Sequence, residues 1–215
     1  MRVGVLGSGT VGQTLAGGFL KHGHQVVVGT RDPGAEDLRG FQTQAPGVKV
    51  GSFQEAARFG ELLVLSVLAR VVADVIRMAG EENFRDKTLI DTNNPISDQP
   101  MTDGVLSYFT GPNQSLAENI QKLLPATHVI KAFNSVGAGL MVNPSFEQGT
   151  PTMFICGNNA QAKAQVKDLL RQFGWEAFDC GSIVAARAIE PLCMLWCIPG
   201  FRSNDWMHAF KMLTQ

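Results

Sequence analysis

Short apolar stretches of strand length alternate with helical patterns from the first residues of the chain. Residues 2–6 predict a buried strand, 10–21 a helix and 25–29 a second strand, which together have the length of one β-α-β unit. Further strands are predicted over residues 48–50, 61–67, 87–91, 127–133, 151–157 and 175–180. The pattern therefore predicts an α/β fold with a doubly wound, mostly parallel sheet of about eight strands.

Several helix ends are marked by their residue types. Residues 52–55 and 115–118 match the capping box, in which Ser and Glu each satisfy a free backbone N–H of the first turn. Gly174 stands at the expected end of a helix, and Asp32 is interpreted as a helix cap before Pro33.

Two long segments follow a different pattern. Residues 92–114 contain scattered prolines and glycines and no clean period, as in a functional loop. Residues 182–215 carry apolar and aromatic side chains at helical spacings, which predict two or three short helices. We therefore expect a main domain over residues 1–181 and a helical C-terminal extension over residues 182–215, which packs on this domain or on a partner subunit.

Composition limits the class of protein. The chain has 215 residues, of which 45% are hydrophobic and 17% charged, and this is enough apolar material for one large domain with a buried core. With 18 basic against 19 acidic side chains, no positive excess is available to hold a polyanion by counterion release. Nucleic acid is therefore not expected as a partner.

Apolar stretches and cysteines bear on where the protein works. The longest uncharged apolar stretches cover residues 62–69 and 192–198 and are shorter than the ~20 residues of a membrane-spanning helix. The amino end turns into glycines after a few apolar residues, unlike a secretory signal. The four cysteines include no C-x-x-C pair and are interpreted as packing residues. We expect a cytoplasmic protein without a membrane span.

A glycine-rich run directly follows the first predicted strand and opens the first predicted helix. It matches G-x-G-x-x-G and consists of Gly7, Ser8, Gly9, Thr10, Val11 and Gly12. The first glycine allows a tight turn, the second lets a pyrophosphate approach the backbone, and the third lets helix and strand pack closely. The helix amino end adds free N–H groups and partial positive charge. This placement predicts a dinucleotide-binding Rossmann fold.

The end of the second predicted strand indicates which dinucleotide is bound. An NAD site carries Asp or Glu here, which accepts hydrogen bonds from ribose hydroxyls, whereas this chain has Thr30 and Arg31. The Arg31 guanidinium is suited to pair with a 2′-phosphate through two N–H groups, and the Thr30 hydroxyl to donate another hydrogen bond. These residues predict NADP(H) as the cofactor.

The nicotinamide is expected past the carboxyl ends of the later strands, where the strand order reverses. Candidate residues there are Ser66, Val67, Leu68, Asn93, Ala132, Phe133 and Asn134. Backbone amides and Asn side chains are suited to hold the ribose and the carboxamide, while Leu68 and Phe133 would give the ring a dry wall. For Asn93 and Asn94, a plain turn before Pro95 is nearly as good an interpretation.

No catalytic nucleophile and no metal cluster is evident in the sequence. The histidines lack a companion carboxylate or cysteine at ligand spacing, and Cys193 and Cys197 fit the core of a predicted helix. Oxidation of an alcohol needs a general acid or base, whereas hydride exchange between nicotinamide and a flavin-like ring needs mainly close alignment. We therefore assign no catalytic residue and favour a flavin-type acceptor.

Five segments together resemble one known family. They are residues 7–12, 29–33, 131–134, 154–157 and 188–192. Their combination resembles the NADP oxidoreductase, coenzyme F420-dependent family, which includes the cytosolic oxidoreductase module of STEAP-type metalloreductases. The resemblance implies an NADPH-binding Rossmann domain with a small C-terminal extension, often a homodimer. It further implies hydride transfer between NADP(H) and the deazaflavin F420 or a flavin such as FAD or FMN. The resemblance also implies that the fifteen candidate residues named above, in the glycine run and at the strand ends, contact NADPH.

Two other functions stay open at this point. A Rossmann site can report the level of NADPH without turnover, which would make the chain a noncatalytic sensor or partner-binding protein. The hydride could also pass directly to a small imine or carbonyl compound, although the sequence shows no proton donor for that reaction.

Overall fold

The computed structural model describes residues 1–214, with every side chain except that of Asp37, and these residues form one sheet of eight strands at the centre of the molecule. The strands are β1 (Arg2–Leu6), β2 (Gln25–Thr30), β3 (Lys49–Ser52), β4 (Leu62–Leu65), β5 (Thr88–Asp91), β6 (His128–Lys131), β7 (Thr152–Gly157) and β8 (Glu176–Asp179). The central strands are buried along their length because helices cover both faces of the sheet.

The strand order is β3-β2-β1-β4-β5-β6-β7-β8. Neighbouring strands are parallel except β6 and β7, which are antiparallel. The chain winds outward to β3 and then returns to the middle as β4 beside β1, so the order reverses between β1 and β4. This topology confirms the predicted doubly wound Rossmann fold. In such a sheet, ligands bind outside the carboxyl ends of the strands at the point of reversal.

Within residues 1–214, eight α-helices accompany the sheet. They are α1 (Thr10–Lys21), α2 (Glu36–Gln44), α3 (Phe53–Phe59), α4 (Val72–Ala79), α5 (Leu116–Leu123), α6 (Ala160–Gln172), α7 (Ala186–Ile189) and α8 (Pro191–Ser203). The predicted caps are present: α3 has the full capping box of Ser52 and Glu55, and Gly174 follows α6 with a φ of +83°. Ser115 caps α5, but the Glu118 carboxylate accepts from the Ser115 hydroxyl rather than from its backbone.

One helix and one cap differ from the sequence prediction. The hydrophobic pattern does not predict α2, which begins after the N-cap residue Ala35. Asp32 does not cap a helix, because its Oδ1 accepts a hydrogen bond from the Gly34 N–H at 2.9 Å. Short acidic side chains compete for nearby backbone N–H groups in this way and favour turns. The interpretation of Asp32 as a helix cap is therefore wrong.

Two hydrophobic cores lie on opposite faces of the sheet. The first packs α1 and α6 against the strands and contains Phe19 and Phe173. The second packs α3, α4 and α5 against the other face and contains Phe84. Val5 belongs to the first core and Leu6 to the second, as the alternation of side chains along a strand requires.

The C-terminal extension packs on the long loop of the same chain. Cys193, Trp196 and Cys197 of α8 form a small third core with Tyr108 of that loop. Residues 204–214 are not helical, although their apolar spacing predicts a helix. They run instead beside the start of β7, where the Phe210 carbonyl accepts from the backbone N–H of Thr152 at 2.8 Å.

Within residues 1–214, one helical stretch, Ile183–Ser203, is long and apolar enough by length and composition to cross a membrane. Its mean hydropathy is 1.4, and 44% of its apolar window is buried inside the protein. The sequence shows no uncharged apolar stretch of this length, because Arg187 and Glu190 interrupt the apolar residues of the helical stretch. A partly buried core helix passes the same test, so the stretch is weak evidence for a membrane span.

Candidate functional site

A cleft of about 1180 Å³ opens at the carboxyl edge of the sheet, where the strand order reverses. The turns that follow β1, β2, β4 and β5 form its walls. The sequence-predicted residues that line it are Gly7, Ser8, Gly9, Thr10, Val11, Thr30, Arg31, Ser66, Val67, Leu68 and Asn93. Gly12, Ala132, Phe133 and Asn134 do not line it. Four segments far apart in the sequence thus meet in one cavity.

The glycine run has the close packing that a dinucleotide cradle requires. Gly7 has a φ of +127°, and a Cβ there would lie 1.9 Å from the Ser66 carbonyl oxygen. A Cβ at Gly12 would lie 2.0 Å from the Gly7 carbonyl oxygen, because α1 packs directly on the turn. At Gly9 a Cβ would meet no described atom within 4 Å. Space is therefore left at the one position where a diphosphate would approach the backbone.

The amino end of α1 is open to an anion. Gly9 is its N-cap residue, no described side chain caps the helix, and the first turn contains no acidic residue. Ser52, Ser115 and Asn159 cap α3, α5 and α6, whereas the other helices within residues 1–214 share the lack of a side-chain cap with α1. The first residues of α1 differ in that they line the cleft with no acidic side chain among them. Free N–H groups and the positive end of the helix dipole favour a phosphate at such an end. The residues present fit the diphosphate of a dinucleotide.

Thr30 and Arg31 extend this wall of the cleft to the end of β2. The Ser8 hydroxyl donates to Thr30 Oγ1 at 3.1 Å, and Gln13 Nε2 donates to the Ser8 carbonyl at 2.8 Å. The first bond joins the turn after β1 to the end of β2, and the second holds that turn against α1. The Arg31 side chain is exposed and lines the cleft, so its guanidinium is available to an anionic group beyond the glycine run.

Asn93 lies in the wall of the cleft, but its side chain is engaged by the protein itself. Its Oδ1 accepts from the Val67 N–H at 2.9 Å. Its Nδ2 donates to Asp91 Oδ1 at 2.8 Å and to the Leu65 carbonyl at 3.2 Å. Both amide N–H groups are therefore used, and none remains for a ribose or carboxamide oxygen. Asn93 joins the turns after β4 and β5. Its N–H groups are therefore not available for the direct contact with NADPH that the sequence predicts.

Phe133 does not form a wall of the cleft. The backbone at Phe133 is left-handed, with a φ of +62°, which breaks the alternation of the preceding strand. Its ring is buried in the first core against Phe173, with ring centroids 6.1 Å apart. The prediction of an apolar wall from Phe133 is wrong, and Ala132 is fully buried as well. Leu68, in contrast, is 61% exposed and lines the cleft.

Asn134 is buried behind the cleft. Its Nδ2 donates to the Ile189 carbonyl at 2.9 Å and to Asn94 Oδ1 at 3.2 Å. Asn94 Nδ2 donates in return to the Asn134 carbonyl at 2.8 Å. Asn94 lines the cleft, and Asn134 orients its side chain. The sequence left a cofactor contact and a plain turn open for Asn94.

Other lining residues belong to no sequence motif. They include Phe53, Arg70, Arg77, Met78, Ile96 and Asp98. Arg70 pairs with Asp98 and Arg77 with Asp74, each at 2.9 Å and exposed to solvent. In the sequence, these residues are marked only by their position after the carboxyl ends of β3, β4 and β5.

The cleft offers binding groups rather than a nucleophile. Its described lining residues include no His, Cys, Lys or Tyr. Among residues 1–214, no group of three or more His, Cys, Asp and Glu is placed to hold a metal ion. Cys156 lies away from the cleft in β7, and burial raises the pKa of its thiol to about 12. That thiol is therefore protonated and unreactive near neutral pH.

Comparison with known proteins places this architecture in a family. The sequence model of the NADP oxidoreductase, coenzyme F420-dependent family matches residues 2–95, which contain the glycine run and both turns joined by Asn93. A crystal structure from Arthrobacter sp. FB24, of a protein proposed to be an F420-dependent NADP reductase, has a TM-score of 0.93. It is 32% identical, and the match covers 100% of both chains.

Two curated relatives support the same family. The F420-dependent NADP reductase of Methanocaldococcus jannaschii is 26% identical over 208 residues, which cover 91% of this chain and 90% of that protein. The metalloreductase STEAP3 of Rattus norvegicus is 31% identical over 204 residues, which cover 92% of this chain. The chain spans only 38% of the length of that metalloreductase. On its fold, its cleft and these likenesses, the chain belongs to the NADP oxidoreductase, coenzyme F420-dependent family of NADP-dependent oxidoreductases.

Proposed function

We propose that the chain binds NADP(H) in the cleft and transfers a hydride between the nicotinamide and a bound deazaflavin (F420) or flavin (FAD or FMN). The observation that carries the proposal is that the open amino end of α1 and Arg31 line one cavity. Anion sites at both places suit a dinucleotide with an additional phosphate on its adenosine ribose. The names of the Arthrobacter and Methanocaldococcus relatives support F420 as the second coenzyme.

The adenosine half is bound by the turns after β1 and β2. Backbone N–H groups at Gly9, Thr10 and Val11 hold the diphosphate, and the missing side chain at Gly9 lets it approach. The Arg31 guanidinium pairs with the 2′-phosphate in charge-assisted hydrogen bonds, and Thr30 adds its hydroxyl. Ser8 keeps that hydroxyl in place through its own hydrogen bond.

The nicotinamide half lies toward the ends of β4 and β5, where Leu68 and Ile96 provide apolar surface and Asn94 a polar side chain. NADPH supplies the hydride when it is bound. Exchange of a hydride between two rings depends on alignment and moves no hydroxyl proton. The described lining residues include no His, Cys, Lys or Tyr, and the carboxylates of Asp98 and Asp74 are paired with arginines. This lining therefore suits hydride exchange between rings better than direct reduction of a carbonyl compound.

Anaerobic mixing of the protein with NADPH and F420, FAD or FMN in turn tests the proposal. Loss of the nicotinamide absorbance should accompany reduction of one of these coenzymes, and NADPH should be preferred to NADH. Oxidation of NADPH by a cyclic imine or a carbonyl compound, but by none of the three coenzymes, would replace the proposed acceptor. Tight binding of NADPH without turnover would identify a sensor instead.

We also propose that the chain works in the cytoplasm as a homodimer, with the NADP-binding domain over residues 1–181 and the extension over residues 182–215 at the contact. Leu195, Phe201, Met207 and Leu213 of the extension are exposed apolar side chains that an interface would cover. Analytical ultracentrifugation should give twice the mass of the chain. A monomer at micromolar concentration would contradict the homodimer.

A further inference from the structure

Three charged side chains form a cluster in the interior of the protein. Lys131 at the end of β6 lies 2.9 Å from Asp91 Oδ2 at the end of β5 and 3.1 Å from Glu190 Oε1, which precedes α8. All three are at most 1% exposed. Lys131 lies in one of the segments that carry the family resemblance, and none of the three residues has a role in the proposed function.

The charged groups of the cluster are paired and hydrogen-bonded to one another and to the backbone. Buried charges without such partners are costly. Two carboxylates face one ammonium, and the Glu190 carboxylate also accepts from the backbone N–H groups of Leu116 and Ala117 at the start of α5, at 2.9 and 3.0 Å. Burial alone would lower the pKa of Lys131, but Asp91 and Glu190 outweigh it and hold that pKa above its ordinary value. The ammonium is therefore charged at neutral pH.

The cluster is connected directly to one side of the cleft. Lys131 Nζ donates to the Asn93 carbonyl, and Asp91 Oδ1 accepts from the Asn93 backbone N–H at 3.0 Å and from its Nδ2 at 2.8 Å. Asn93 in turn accepts from the Val67 N–H. Asn93 and Val67 line the cleft beyond β4 and β5, whereas Arg31 lies on the other side at β2. The hydrogen bonds of the cluster therefore reach the side of the cleft at β4 and β5 and not the side of Arg31.

The same cluster is connected to the C-terminal extension. Glu190 belongs to that extension, and its carbonyl accepts from the Tyr108 hydroxyl at 2.9 Å. The preceding residue, Ile189, accepts from Asn134, which holds Asn94 in the cleft wall. Glu190 and Ile189 thus reach the turn after β5 through Lys131 and Asn134.

We propose that Lys131, held between Asp91 and Glu190, is a positioning residue for the nicotinamide half of the cleft, and that the C-terminal extension acts on the site through it. The inference rests on the proposed binding of NADP(H). Lys131 touches neither the cleft nor a ligand, so its effect passes through Asn93 and Val67.

Glu190→Gln tests the proposal, because it removes one carboxylate of the cluster and keeps the size of the side chain. Glu118→Gln is its matched control: Glu118 lies on α5 and ties the same extension to that helix through Arg187 at 2.7 Å. Calorimetry with 2′,5′-ADP reports the adenosine half alone, calorimetry with NADPH reports both halves, and the emission of bound NADPH reports the surroundings of the nicotinamide.

For Glu190→Gln we expect binding of 2′,5′-ADP within about twofold of wild type and binding of NADPH about five- to tenfold weaker, since the turn loses one orienting interaction. The emission of bound NADPH should change as well, and Glu118→Gln should alter neither. Equal weakening of both ligands, or the same result from the control, overturns the positioning role. Wild-type protein that binds neither ligand overturns the proposed function itself, and the inference with it.

Should Glu190→Gln fail to fold, the triple variant Asp91→Asn, Lys131→Met, Glu190→Gln tests the same point. It has no charge at these three positions, and neutral replacements of buried ion clusters often keep their stability. The folded triple variant should show the selective loss of NADPH affinity. Unchanged affinity and emission would overturn the proposal.

Discussion

Gly9 and Gly12 belong to one motif but serve different purposes. Gly12 is needed for packing, because a methyl group there would meet the Gly7 carbonyl at 2.0 Å, while the space next to Gly9 is empty and belongs to the cleft. The motif in the sequence predicts a turn and a ligand site together. The motif assigns the second glycine to the ligand and the third to packing, and the structure supplies the atoms on which this assignment rests: the Gly7 carbonyl lies beside Gly12, whereas the space beside Gly9 is open.

Gly9→Ala should leave the fold intact and weaken dinucleotide binding at least about tenfold, since the new methyl group occupies the space of the diphosphate. Its cost to the free energy of unfolding should stay below about 1 kcal/mol, as for an altered N-cap. Gly12→Ala should instead destabilise the protein by about 1–3 kcal/mol through overpacking. Urea denaturation and calorimetry with NADPH measure the two effects. Equal stability losses in both variants would contradict this division.

Arg31→Ala should weaken NADPH binding about ten- to a hundredfold and leave NADH binding nearly unchanged, because a charge-assisted pair to the 2′-phosphate is lost. Arg58→Ala is a suitable control, since Arg58 is exposed and does not line the cleft. Calorimetry with both nucleotides gives the ratio of affinities. An unchanged preference for NADPH in Arg31→Ala would show that another group reads the 2′-phosphate.

At the scale of elements, several separate interactions stabilise the first turn of α5. Ser115 caps its first turn, Glu190 accepts two of its N–H groups, and Arg187 of α7 pairs with Glu118 through two nitrogen atoms. The capping residues are visible in the sequence. The contributions of Glu190 and Arg187 are not, because they come from residues about seventy positions away.

The Glu118 pair should make stability depend on pH in the acid range. The hydrogen bonds from Arg187 hold the pKa of Glu118 below its ordinary value of 4.5. A carboxylate with a lowered pKa stabilises the fold above the pKa of the unfolded chain, and this contribution disappears as the pH falls through the folded pKa. Wild type should therefore exceed Glu118→Gln in stability at pH 7, and the difference should shrink below about pH 4.5.

Urea denaturation of both proteins from pH 7 downward measures this difference, with the exposed Glu147→Gln as a control for general acid effects. A difference that stays constant across the range would show that the lost contact is not ionic.

At the scale of the whole molecule, the extension is part of the structural core of this chain rather than an appendage. It supplies Glu190 to the buried cluster, and its Trp196 packs with residues of the long loop. A chain that ends at residue 181 leaves Lys131 with one carboxylate and the start of α5 without two acceptors. Such a chain should lose at least about 3 kcal/mol of stability, the cost of breaking a buried pair.

Urea denaturation of this shortened chain, compared with a chain that ends at residue 203 and retains Glu190, separates the cluster from the remaining contacts. The longer of the two should keep more of the wild-type stability. A shortened chain as stable as wild type would show that residues 1–181 fold without help from the extension.

The sequence by itself determined the eight strands, most of the helices, the Rossmann class and the glycine turn, and it places Arg31 rather than a carboxylate directly after β2. Each of these depends on residues close together in the chain, where period, capping and turn chemistry act. The tertiary structure alone decided that Phe133 faces the core, that Asn93 is engaged by the backbone of β4, and that Lys131 is paired with Glu190. These outcomes depend on which distant atoms share a buried space, and burial determines whether a polar or charged group is satisfied there.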